Sequence, residues 1–527
     1  MKNRITLKKE RTLILNIRFK FILLFALFFG VQNIDFGQEL RYPNSPNQSD
    51  LLSLYALYEA NGGPLIPFNY EVKYPPKALK WDLFVLESVL KEAKTGLANR
   101  GGDVLDSTFL SANEKASDSL TYLEFAREVA KIFNAAGCGH SGLGHHTEYY
   151  NYRYENMKFF PLDLYVIGDR YFVKTNHSFD IRIRPYDEIL TINGLTPATI
   201  SQALRKHMSA DCFSAEHGTS LIQNYFRMAF SNFIGNPNVF NLKMKSHAQQ
   251  NEFLVDLKAY NLISIKASET KKKRPQKKYK TLELEIDKPK NTAVYTIRSF
   301  RNEAINQNGQ EFYAFTDSVF KELNEQNITN IIIDIRGNAG GWTANGAHLF
   351  SYFINEPQPY INQVETKKID NYSFEPLITS QPGYLDTFQF AMQENALQRW
   401  VNYPSLNVSP AKQNKFSGTC YILIDDMSFS CSAVFSALMK NHTSAIFVGE
   451  ETGGCQSRTF GMVMGIRLPY TGLMVHFATA QYDLNVKNKL ETKGVVPDFE
   501  VLNSIETYKN GLDPQMIFTI NLIERGK

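Results

Sequence analysis

Three serines stand at alternating positions in "DDMSFSCSAVFSALMK", Asp425 to Lys440: Ser428, Ser430 and Ser432. A strand-like run, "YILI", precedes them. An apolar run follows at helical spacing, with Ala433, Val434, Ala437 and Leu438 on one face. A hydroxyl where a strand passes into a helix lies beside free backbone N–H groups and the positive helix end, a setting that favours a developing anion. Helix capping is one use for it. Ser428 alone could cap, and Ser432, in the first turn, could bond back to local backbone. Nucleophilic attack is the other use, and its candidate is Ser430. A serine hydroxyl is a poor nucleophile by itself, so that reading demands a base and an oxyanion site. The backbone N–H of Cys431 would be one oxyanion donor.

Two further stretches could supply the rest. "IIIDIRGNAGG" ends a buried-type strand in a turn containing Gly337, Gly340 and Gly341. Glycines let backbone amides approach a ligand, so the amide of Gly340 or Gly341 could be the second donor. An ordinary α/β turn would need the same residues. "GCGHSGLGHH" holds His140, His145 and His146 in a glycine-broken loop. Its spacing is not HExxH and it contains no acidic residue, so no metal is assigned to it. His476 alternates with apolar residues and is expected on a strand surface. Asp425 and Asp426 end a strand, where water is the expected partner.

The elements that must position these residues fall in order along 527 residues, too many for one typical core. "KWDLFVLESVLKEAKTG" and "LTYLEFAREVAKIF" have helical periodicity, and the second runs into the His140 loop. "LDLYVIGDRYFVKTN" reads as a hairpin. "YDEILTINGLTPATISQALRKHM" reads as strand, turn at Asn193-Gly194, then helix. From about Asn291 the pattern is α/β: "TAVYTIRSF", "NIIIDIR", "TCYILID" and "SAIFVGEETGG" are strands, the central two of the continuous apolar kind. "MGIRLPYTGLMVHFA" is a hairpin. The stretch from Glu356 to Ser417 is weakly patterned and reads as an insertion over one face.

Composition bounds the class. Apolar residues make up 43% and charged residues 21%, which fits a globular protein, and a net charge of +4 is too weak to imply a nucleic-acid partner. The N-terminus is basic and leads into an 11-residue apolar core, Phe21 to Val31, then turns polar. A membrane span needs about 20 apolar residues, so this segment fits a signal peptide cleaved near Gly37 or Gln38. Export, with no stable membrane span afterwards, is expected. Five cysteines, Cys138, Cys212, Cys420, Cys431 and Cys455, imply neither a disulfide framework nor a zinc ribbon. "TKKKRPQKKYK", Thr270 to Lys280, carries seven basic residues in eleven and reads as a solvated linker.

Taken together, "DIRGNAGG", "LIDDMSFSCSAVFSAL", "VGEETGG" and "LETKGVVPDFEV" occur in this order and resemble the core of the C-terminal-processing and tricorn-type serine peptidases. "YDEILTINGLTPATI" is similar to the core of a PDZ domain, which these peptidases often insert upstream. The resemblance implies an α/β catalytic domain with a ClpP/crotonase-like core, a helical N-terminal domain and a β-rich PDZ-like domain. The expected divisions are a signal peptide at 1–38, a helical domain at 39–157, a PDZ-like domain at 158–263, a basic linker at 264–290 and the catalytic domain at 291–527. It also implies that the middle serine, Ser430, is the nucleophile.

Two departures set the subtype. The lysine base of C-terminal-processing enzymes falls at Cys455 here, and the glutamate after the serine cluster at Ala433. A Ser–Lys dyad is therefore not expected. The tricorn-like branch uses an upstream histidine and a glutamate before the closing Gly-Val, which fall at His140 and Glu491. Glu491 would orient the imidazole directly or through a hydroxyl such as Ser141. The expectation is an exported serine peptidase with a Ser430–His140–Glu491 constellation, an oxyanion hole from Cys431 and Gly340 or Gly341, a peptide or protein substrate and no cofactor. A silent peptide-binding scaffold and an ester hydrolase on the same fold are the rivals.

Overall fold

The central strands behave as their sequences require. In a computed structural model, which describes residues 48–94, 102–211, 218–272, 279–367, 371–380, 390–392, 398–400, 405–411, 413–487, 489 and 492–526, a six-stranded sheet has the order Leu282–Asp287, Thr292–Ile297, Asn330–Asp334, Thr419–Ile424, Ile446–Gly449, Phe499–Glu500. The first pair is antiparallel and the others are parallel. Asn330–Asp334 and Thr419–Ile424 lie in the middle, with Ile331 opposite Cys420 and Asp334 opposite Leu423. Both faces must be covered, which is why these strands read as unbroken apolar runs. Ile331, Ile333, Ile422 and Ile424 pack under the helices Phe312–Glu325, Thr343–Ser351 and Cys431–His442. Ile332, Tyr421 and Leu423 face the other way, toward the helix Pro514–Glu524.

A second, antiparallel sheet is built on the hairpin Arg458–Arg467 and Met474–Leu484. Ile361–Thr366 pairs with its second strand. This segment lies inside the stretch expected to be a weakly patterned insertion; a register shift between Ile361 and Gln363 breaks its alternation, with Ile361, Val364 and Thr366 buried. Gly142–Gly144 also pairs with this hairpin, through Gly142 opposite His476 and Gly144 opposite Met474.

A third sheet of five antiparallel strands, Leu162–Ile167, Arg170–Asn176, Glu188–Ile192, Val239–Lys245 and Glu252–Lys258, packs against the helices Pro197–Arg205 and Thr219–Phe233. The turn at Asn193-Gly194 forms with φ of 52° and 80°, and Thr196 caps the helix that follows. The basic stretch expected to be a linker contains structure at both ends. Leu262–Lys272 is helical and Leu282–Asp287 is the edge strand of the central sheet.

The N-terminal helices carry the His140 loop. Pro76–Ala93 starts on Pro76, whose missing N–H costs nothing in a first turn. Tyr122–Ala136 opens with a capping box between Thr121 and Glu124. It buries Phe125, Val129 and Phe133, and stops at Gly137 in the left-handed conformation, φ 60°. The chain then turns through Cys138, Gly139 and His140 into the strand at Gly142. No helix among the described residues is long and apolar enough to cross a membrane. The proposed signal segment lies outside the described residues.

Candidate active site

Ser430 lies between the central strand Thr419–Ile424 and the helix Cys431–His442, with φ 53° and ψ −121°. A non-glycine residue at positive φ is strained, and it persists only where its surroundings hold it. They do. The Phe429 N–H donates to the Asn338 carbonyl, the Ser428 carbonyl accepts from Gly453 N–H, and the Ser428 hydroxyl donates to the Ile335 carbonyl at 3.0 Å. Gly454 abuts the start of the helix: a Cβ there would lie 2.6 Å from the Ala433 Cβ. Ser430 makes no side-chain capping bond, so its hydroxyl is free for another partner.

That partner is His140. Its Nε2 lies 2.9 Å from the Ser430 Oγ, across 290 residues of sequence. The ring is clamped on one face by Phe429, with centroids 4.7 Å apart and planes at 30°. Gly139, where the tricorn-like pattern has a serine, has no room for one. A Cβ there would stand 2.8 Å from the Phe429 ring and 3.3 Å from the Asp211 carboxylate. The His140 loop is fixed from below by the pairing of Gly142–Gly144 with the long hairpin.

The carboxylate facing His140 among the described residues is Asp211, which the sequence did not single out. Its side chain is fully buried. Oδ1 accepts the Gly139 N–H at 2.6 Å, and Oδ2 stands 3.6 Å from His140 Nδ1. That distance is beyond a hydrogen bond, so the attraction is chiefly Coulombic. Burial pushes the imidazole pKa down, but Asp211, joined by Cys138, outweighs it and raises it to about 9. Asp211 follows a helix in "HMSADCFS" with no motif around it, so no pattern would have found it. Glu491, expected in the orienting role, lies outside the described residues. The buried Ser141 hydroxyl accepts from the Ala478 N–H at 3.2 Å.

The oxyanion candidates divide. Gly340 presses on the serine: a Cβ there would be 2.7 Å from Ser430 Cβ and 2.8 Å from the Cys431 nitrogen, and its φ is 93°. Its own N–H, however, donates to the Asn338 side chain at 2.9 Å, and its carbonyl accepts from Phe300. The N–H groups of Gly341 and Cys431 have no hydrogen-bond partner among the described residues. The Cys431 thiol points away, donating to the Trp342 carbonyl at 3.2 Å, and burial pushes its pKa up to about 12.

The flanking serines are structural, though not as expected. Ser428 is not a helix cap. It is wholly buried and its hydroxyl also accepts the Asp425 N–H at 3.1 Å. Ser432 is buried with its hydroxyl unpartnered, rather than bonded back to the backbone. Asp425 and Asp426 do not face water alone. Asp425 accepts the Gly337 N–H at 2.9 Å on both oxygens, and Asp426 accepts the Ser220 N–H at 2.8 Å. The first bond ties the two site loops together. The second ties the Ser430 loop to the start of the helix Thr219–Phe233.

The three loop histidines part company. His145 meets Tyr122, and burial lowers its pKa to about 3. His146 caps the helix Thr147–Asn156. His476 is half-buried beside Gly142. Cys455, at the family's lysine position, is disulfide-bonded, whereas Cys138, Cys420 and Cys431 are free thiols. A cavity of about 540 Å³ opens at the strand ends between Ser220, Arg336, Asp425, Glu450 and Tyr508, and neither Ser430 nor His140 lines it.

This is the geometry of a serine hydrolase on a mixed α/β fold. Residues 291–501 match the model of peptidase family S41. The fold is shared with mature CPAF, at 15% identity and a TM-score of 0.58 over 85% of this chain and 98% of that one. It is shared equally with mature CPAF complexed with lactacystin, at 15% identity and a TM-score of 0.59 over 85% and 99%. Residues 291–501 are thus similar to the S41 peptidases, and the fold shared with mature CPAF extends over most of the chain.

Proposed function

We propose that the chain is an exported peptidase in which Ser430 attacks the scissile carbonyl of a peptide or protein substrate. The observation that carries this reading is the 2.9 Å contact between His140 Nε2 and Ser430 Oγ, beneath an unspent Cys431 N–H. His140 takes the hydroxyl proton as the tetrahedral adduct forms, then returns it to the leaving amine. The adduct's oxyanion sits between the N–H groups of Cys431 and Gly341. Asp211 favours the imidazolium that forms in between and is the orienting carboxylate in this reading. Glu491 is the competing choice from the family resemblance. The five-stranded sheet at 162–258 serves as a PDZ-like module, receiving an extended peptide along a sheet edge. Its antiparallel strands with two packed helices support that reading.

The test is labelling of the full chain with a fluorophosphonate probe, with lactacystin as a second probe, followed by a peptide-and-ester substrate panel. Labelling that Ser430→Ala and His140→Ala both abolish is expected, with peptide substrates cleaved as well as esters; cleavage of esters alone would point to the ester-hydrolase reading. Labelling that survives in Ser430→Ala sinks the reading. Comparison of Asp211→Asn with Glu491→Gln decides the orienting carboxylate.

A further inference from the structure

Behind the His140 ring, on the side away from Ser430, three donors converge that the peptidase reaction does not all use. Cys138 Sγ, His140 Nδ1 and an Asp211 carboxylate oxygen lie within 4.8 Å of one another. Two of the three atoms lack any hydrogen-bond partner: His140 Nδ1 and Asp211 Oδ2 are both buried and unsatisfied. Buried polar atoms are normally paired, and each exception calls for an explanation. Asp211 has no exposed side-chain surface and His140 only 13%. The Cys138 side chain is wholly buried among Phe460 and Ala478.

We infer that Cys138, His140 and Asp211 form an inhibitory site for a thiophilic divalent cation such as Zn²⁺. Thiolate, imidazole and carboxylate are the donor types zinc takes, with three protein ligands and one open position. A tetrahedral ion would bring such donors to about 3.4–3.6 Å apart, which asks side-chain shifts of about 1 Å or less from the present spacing. Binding displaces the proton of the Cys138 thiol, since a metal takes the thiolate. Among the described residues near the site are Lys94, wholly buried with its Nζ 4.8 Å from the Phe460 ring centroid, and His476, whose pKa burial lowers.

The consequence for catalysis follows from the tautomer. A histidine that gives one ring nitrogen to a metal keeps its proton on the other. With the ion on Nδ1, Nε2 carries the hydrogen and donates toward Ser430 Oγ, so it cannot accept the serine proton. The ion thus inhibits without touching the serine or the substrate cleft.

This inference rests on the proposed roles of Ser430 and His140, and the experiment separates the two. Full-length protein is stripped with a chelator and titrated with Zn²⁺. Bound zinc per chain is measured in the wild type and in Ser430→Ala, and fluorophosphonate labelling in the wild type and in Cys138→Ala. Co²⁺ replaces Zn²⁺ in a parallel titration, where a thiolate-to-cobalt charge-transfer band reports the Cys138 ligand. Expected are one zinc per chain in both backgrounds and labelling slowed about 10²–10⁴-fold, the usual worth of a general base. Chelator should restore labelling. Cys138→Ala, compared with its own metal-free labelling rate, should resist zinc and lose the cobalt band. No bound zinc and no band would overturn the site. Equal inhibition of Cys138→Ala would place the ion elsewhere and also overturn it. Stripped wild type that never labels would refute the proposed function, while the zinc stoichiometry and cobalt band would still decide the site.

Discussion

Asp211→Asn changes one charge at the back of the His140 imidazole and little else in shape. The asparagine can keep an oxygen on the Gly139 N–H, where the carboxylate now accepts at 2.6 Å. Its amide then turns N–H groups toward His140 Nδ1, which favours the wrong tautomer, with the proton on Nε2 facing Ser430. In a well-studied triad the same exchange lowers kcat by about 10⁴. The pH dependence gives a sharper signature. The imidazole pKa stands at about 9 against an ordinary 6.5. That gap corresponds to roughly 3 kcal/mol. A unit charge 3.6 Å away supplies roughly 5 kcal/mol at an effective dielectric constant of about 20. Asp211 can thus account for the rise and offset the burial that opposes it. Without it the largest raising contribution is lost, Cys138 alone opposes burial, and the midpoint falls well below 9.

The assay is kcat/KM against pH for both proteins, in chelator. The wild-type profile should climb toward an alkaline midpoint near 9, since only about 1% of an imidazole of that pKa is neutral at pH 7. The variant should be flat above neutral pH. The deficit is therefore about 10⁴ at pH 10 but near 10² at pH 7, where the variant's imidazole is mostly neutral. Stability moves in a linked way. A raised histidine pKa contributes stability that is full below pH 6.5 and lost as pH rises through about 9. The melting temperature of Asp211→Asn should thus lag the wild type more at pH 6 than at pH 10. A variant whose rate midpoint stays where the wild type's is would refute the Coulombic argument.

The remaining expectations concern the scaffold of the site. Ser430→Ala should abolish turnover at an almost unchanged melting temperature. Ser428→Ala, which orphans the Asp425 N–H and Ile335 carbonyl, should cost about 1–3 kcal/mol by denaturant titration while the folded fraction stays active. Ser432→Ala should be neutral or slightly stabilising, because its buried hydroxyl has no partner to lose. Cys455→Lys in a His140→Ala background should stay inactive and melt lower, since the exchange breaks a disulfide and buries an ammonium; activity regained there would mean a working Ser–Lys site. Gly139→Ala should lower kcat far more than it lowers the melting temperature, because its Cβ would displace the Phe429 ring that clamps His140; an unchanged kcat would show the clamp to be dispensable.

What the sequence made legible follows from the range of the interactions involved. The central strands declared themselves because burial on both faces leaves an unbroken apolar run. The capping box at Thr121 and the Asn193-Gly194 turn are written within four residues. Ile361–Thr366 was missed because a short strand inside a long polar stretch gains its identity from its pairing with the hairpin strand Met474–Leu484, not from its own composition.

The site divides along the same line. His140 lies in a glycine-marked loop and Ser430 in a serine-marked strand-to-helix junction, where a backbone must turn sharply and the turn leaves a trace in residue types. Their meeting across 290 positions was an expectation from motif order, not from distance. Asp211 left no trace at all. A carboxylate that works by Coulomb's law at 3.6 Å needs only to be buried nearby, and no local geometry obliges any particular neighbour in sequence. Gly139 shows the converse. At its position the tricorn-like pattern has a serine. With Phe429 and Asp211 in place, it is the residue whose missing Cβ lets ring and carboxylate close on the histidine together. In that arrangement, a serine at this position would push the Phe429 ring and the Asp211 carboxylate away from the histidine.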